Sequence, residues 1–94
     1  MTRNYDDPLY KEARSYVLKR DGRTCQMPDC KSKRRLNVHH IQPWSKAHLM
    51  RYEPYNLITL CRKCHDKIKD REHCYAALFG DIVRQNEHNY SKRH

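Results

Sequence analysis

The stretch LNVHHIQP, residues 36–43, decides how the rest of the chain is read. Leu36, Val38 and His40 alternate with Asn37, His39 and Ile41, which is the period of a strand. Neighbours on a strand face opposite ways, so His39 and His40 serve different sides of it. Pro43 stops the strand, because proline has no amide hydrogen for a ladder. A second β-rich run, Asn56–Leu60 (NLITL), is the expected partner, with Asn56 at its start. It runs directly into Cys61-Arg-Lys-Cys64-His65 and a charged helical segment reaching about Glu72.

Working outward, Asp7-Pro8 reads as a helix cap followed by proline in the first turn. Leu9, Tyr10, Ala13, Tyr16 and Val17 recur at helical spacing and Gly22 ends the run, so a helix is expected over 8–20. Its stripe is assigned to the core and given no chemistry. Residues 43–55, with Pro43, Trp44 and Pro54, form an irregular connector holding one helical turn near 45–50, and Trp44 is expected to pack beneath it. A last helix is expected over 73–86, interrupted or ended near Gly80, with a frayed polar tail over 85–94. No repeat or second domain is visible, so 1–94 is read as one domain with its motif core at 25–72.

Composition says what such a domain lacks. Only 37% of the 94 residues are hydrophobic, so a purely apolar core would be thin. A further staple is expected, from disulfides, metal or association. Lys and Arg number 20 against 11 Asp and Glu, a net charge of +9, which suits a polyanion such as nucleic acid. No run approaches a membrane span, and the first residues show no apolar secretory core. The expectation is a cytoplasmic setting with reduced thiols.

The cysteines supply the staple. Cys25-x4-Cys30 and Cys61-x2-Cys64 are two close pairs that can each direct two thiolates at one tetrahedral ion. Four sulfurs leave no open position, so the expected role is a structural zinc site. Cys74 is left over and is read as a small buried residue. With the sulfurs engaged, His65 is free to meet His39 from the start of its helix, giving a second metal site with open positions. His40 then projects from the other side of the strand.

The histidine pair LNVHHIQP and the run NLITLCRKCH together resemble the HNH nucleases, the ββα-metal or His-Me finger family. The resemblance implies an α+β fold, with the first and last helices as additions to that core. It implies that His40 is the general base, that His39 and His65 hold a divalent metal, and that Asn56 pins the loop and orients the base. Some relatives place another histidine four residues after His65, where this chain has Lys69, a residue that could touch phosphate instead. The family's usable ions are Mg²⁺, Mn²⁺ or Ni²⁺, and two imidazoles also suit Zn²⁺. The implied substrate is DNA, gripped through phosphates, and Arg34 and Arg35 are candidate contacts in the basic run KSKRR, residues 31–35, with Lys46 and Arg51 as weaker ones. Free-standing relatives occur in phages and prophages, often in DNA packaging, so packaging proteins or a second copy are candidate partners. The reading requires His39 close to His65 and His40 open to solvent. The competing expectation is a zinc-stabilised module that binds nucleic acid without cutting it, which leaves the histidines and Asn56 idle.

Overall fold

A computed structural model describes residues 7–42 and 52–93. In chain order it contains α1 (Pro8–Arg20), β1 (Leu36–His40), a 3-10 turn over Pro54–Asn56, β2 (Leu57–Cys61), α2 (Arg62–Lys67) and α3 (Glu72–Arg93). Among the described residues the class is α+β: a two-stranded antiparallel sheet with three helices. The expected helical turn at 45–50, Pro43, Trp44, Lys46 and Arg51 lie outside the described residues.

Each element follows from local chemistry. Asp7 Oδ1 accepts the Leu9 amide at 2.9 Å and Pro8 opens α1. The other end closes with the Arg23 amide on the Leu18 carbonyl and the Gly22 amide on that of Lys19. That pairing needs a left-handed residue, and Gly22 supplies it at φ 66°. β1 and β2 pair in the register His39 with Ile58 and His40 with Leu57.

The register divides the core. Val38 and Leu57 pack with Ala13, Val17 and Leu18 of α1. Ile58 and Leu60 pack with Ile68 and with Phe79 and Val83 of α3. His39 and His40 therefore leave the strand toward different helices.

A buried polar network ties the helices to β2. Arg20, at the end of α1, donates to both carboxylate oxygens of Asp21, to Glu87 Oε1, and to the carbonyls of Pro54 and Leu57. All five guanidinium hydrogens are thus engaged. Burial opposes the charged form of Arg20, but hydrogen bonding and charge from Asp21, then Glu87, outweigh it and hold the guanidinium protonated. Asp21 Oδ2 also accepts the Thr59 amide at 3.0 Å, and Tyr16 donates to Glu87 Oε2 at 2.8 Å.

Several expectations are corrected by this packing. The second helix stops at Lys67, before a turn in which Asp70 takes φ 68°. The last helix passes through Gly80 without a break. Glycine costs a helix interior about 1 kcal/mol, which burial of Phe79 and Val83 on either side offsets. The polar tail is helical as far as Arg93 instead of frayed, because Glu87 and Tyr90 anchor it to Arg20 and Tyr16. Cys74 is exposed, not buried, and Leu9 departs from the core stripe at 61% exposure. The second strand begins at Leu57, with Asn56 closing the turn before it.

Candidate active site

The cysteine cluster sits at the end of the sheet. Sγ atoms of Cys25, Cys30, Cys61 and Cys64 all lie within 4.8 Å of one another. Cys30 and Cys61 are 3.7 Å apart. Tetrahedral zinc with bonds of about 2.3 Å separates its sulfurs by about 3.8 Å, so the donors fit that ion. Backbone geometry places them. Asp29 and Lys31 both take positive φ on either side of Cys30, and the Cys25 amide is held by the Ser32 carbonyl at 2.7 Å. Cys61 caps α2 through its sulfur, which accepts the Cys64 amide at 3.4 Å. Burial pushes the Cys25 and Cys64 thiols up, whereas a backbone hydrogen bond at Ser32 lowers Cys30 to about 7. A bound cation favours the thiolate at every ligand, which is how such a cluster couples to folding.

His39 and His65 come together. Their ring centroids are 5.3 Å apart and the planes meet at 70°. The strand supplies one and the first turns of α2 the other, while Phe79 stands edge-on to His39 at 5.9 Å. Metal–imidazole bonds run about 2.0–2.1 Å, so one nitrogen from each ring can reach a shared ion at this spacing. His39 is 7% exposed and His65 half-buried.

His40 lies on the opposite face, on the side of α1, and is 5% exposed. The sequence reading required an open side chain there, and the structure corrects it: His40 is buried, on the face of the sheet that packs against α1. Asn56 is buried just beyond the end of β1. Its Oδ1 accepts the Gln42 amide at 2.8 Å and its backbone carbonyl accepts the Ile41 amide at 2.8 Å. The asparagine therefore fixes the chain that leaves His40. Arg20 fixes the asparagine's own turn in the same way, at the carbonyls of Pro54 and Leu57 on either side of it.

A cleft of about 640 Å³ opens beside His65. Tyr10, Lys11 and Arg14 of α1 form one wall, Arg62, His65 and Asp66 of α2 the other, and Asn37 and Val38 lie between. Sequence reasoning missed this role for α1. The available signal was Lys11 and Arg14 three apart on the helix, next to an apolar stripe that accounted for the helix by itself. Arg34, Arg35 and Lys69 are exposed and are not among the described residues lining it.

Fold and site together define a class: a small α+β domain whose sheet ends in a four-sulfur cluster suited to zinc and carries a strand histidine facing a helix histidine. The family model for HNH endonuclease matches residues 24–71, just over half the chain. The protein belongs to the HNH endonuclease family. Comparison with curated proteins and with solved structures gave no match.

Proposed function

We propose that the protein is a metal-dependent endonuclease that hydrolyses DNA phosphodiester bonds, acting as a single domain over residues 1–94. The approach of His39 to His65 carries this reading. These two imidazoles would hold a divalent ion, Mg²⁺, Mn²⁺, Ni²⁺ or Zn²⁺. When bound, such an ion supplies charge stabilisation at the phosphate and at the departing oxygen. His40 would take the proton of the attacking water. Asn56 would orient that histidine by holding the backbone of Gln42. The four cysteines would carry a structural zinc, and Arg34, Arg35 and Lys69 would contact phosphates. DNA and reduced thiols both suit a cytoplasmic setting. Among the described residues no helix is long and apolar enough to cross a membrane.

The test is a supercoiled plasmid in Mg²⁺, Mn²⁺ or Ni²⁺. Wild-type protein is expected to nick it, and a brief chelation that leaves the zinc content unchanged should stop the reaction. His40→Ala should lower the rate by at least 100-fold, the scale of lost general-base catalysis, while circular dichroism and zinc content stay as in wild type. A His40→Ala protein that cuts at the wild-type rate would falsify the mechanism.

One observation favours a second reading. His40 is nearly covered, which suits a zinc-stabilised module that binds nucleic acid without cutting it. That module would bind DNA with steep salt dependence and break no strand under any divalent ion.

A further inference from the structure

The family match begins at residue 24, but one wall of the cleft beside His65 comes from α1. Tyr10 and Arg14 are four residues apart and Lys11 and Arg14 three, so they share a helical face. Lys11 is exposed and Arg14 half-buried, and neither forms an ion pair among the described residues. Across the cleft, the only carboxylate among the described lining residues is Asp66, which faces Arg62 at 3.8 Å in an exposed pair. Such pairs are weak and easily exchanged for another anion. The cleft is therefore cationic, with His65 inside it.

Tyr10 narrows the choice of occupant. It is almost fully buried, so its ring forms floor and is not offered as a platform for stacking. The available groups are an ammonium and two guanidiniums, which recognise phosphate oxygens. The helix that presents them is also held firmly: Ala13, Val17 and Leu18 lie in the core and Arg20 is fixed by five hydrogen bonds. A wall set in place before binding spends little freedom on it.

We propose that this cleft takes the sugar–phosphate backbone of a DNA strand, and that Lys11 and Arg14 of α1 grip phosphates neighbouring the one presented at His65. The inference rests on the nuclease reading for the direction of the strand, but not for binding itself. α1 would be a substrate-positioning element lying outside the matched family region.

The experiment separates the two. Binding of a labelled duplex oligonucleotide is followed by fluorescence anisotropy across a salt series, without added divalent ion, in a His40→Ala background. Lys11→Ala with Arg14→Ala should reduce the slope of log affinity against log salt by about 2 and weaken binding roughly tenfold or more at low salt. Arg84→Ala with Lys92→Ala, on exposed positions of α3 outside the cleft, should leave the slope near its starting value. With His40 restored, the α1 double variant should raise KM for nicking while kcat holds. An unchanged slope, or one no lower than for the α3 variant, overturns the proposal even if the protein cuts DNA. Loss of slope in a protein that never cuts upholds the cleft and removes the nuclease reading. Polyglutamate is the competing probe: if the α1 variant loses its binding to that polymer and keeps full affinity for DNA, the cleft belongs to an acidic peptide and the proposal fails.

Discussion

Two polar staples hold this small domain, and they differ in how they are built. The cysteine cluster gathers its ligands from two short segments, each spanning six residues or fewer, at the end of the sheet where α2 begins. The Arg20 network draws on α1, the 3-10 turn, β2 and α3, with Arg20 and Glu87 separated by 67 residues. The first is suited to an external ion such as zinc, which would tie its four sulfurs together. The second closes on itself, because each guanidinium hydrogen has an acceptor within the chain. The contrast separates metal-dependent folding from folding that depends on long-range closure.

Removing the metal is the most severe way to break the comparison. Structural zinc in small modules contributes roughly 10 kcal/mol or more to folding, as much as the whole stability of an ordinary domain. Prolonged chelation, or Cys64→Ser, should therefore unfold the protein at room temperature, seen as loss of helical circular dichroism together with loss of zinc. A fully folded, zinc-free protein would place the weight of stability on the Arg20 network alone.

Arg20→Ala should come next. It strands Asp21 and Glu87 in the interior, and breaking a buried pair in this way costs about 3–5 kcal/mol. Chemical denaturation should show that loss with zinc still bound. Arg20→Lys should recover only part of it, since an ammonium cannot reproduce the planar fork that spans Asp21, Pro54 and Leu57. If Arg20→Ala unfolds no more easily than wild type, the network is incidental.

The smallest effect is at Tyr16. Burial, the hydrogen bond to Glu87 and the charge of Glu87 push its phenol up to about 12. A phenol whose folded pKa is raised adds stability below the unfolded value of about 10 and loses it as pH climbs from there toward 12. Tyr16→Phe removes the hydrogen bond, costing about 0.5–1.5 kcal/mol at neutral pH. The gap between wild type and variant should narrow over that alkaline window. A gap that stays constant to pH 12 would show that the Tyr16–Glu87 bond contributes nothing that titrates.

The same division explains what could be read in advance. α1 was legible to its bounds, because its cap, first-turn proline and closing glycine are adjacent residues acting on adjacent amides. The first strand was legible from alternation, the second from its β-rich run, and the sulfur cluster from two short spacings. The meeting of His39 with His65 followed from placing one on a strand and the other at a helix start, and the structure puts them 5.3 Å apart. The length of α3 was not legible. Gly80 and the polar tail argue locally for an end, and only the distant Arg20 and Tyr16 explain why the helix continues. Cys74 misled for a similar reason: its apolar neighbours suggested burial, but helical phase turns it outward.

The sequence by itself determined the parts that depend on neighbours: helix caps, strand period, the paired cysteines, the adjacent imidazoles and the net positive charge. Tertiary structure alone decided how far His40 is covered, that Arg20 would be a buried hub, and that α1 would wall the cleft beside His65. Those outcomes depend on which faces meet across the chain. Local propensity and spacing carry no information about that, because the energies that settle it arise only when distant segments shed water against one another.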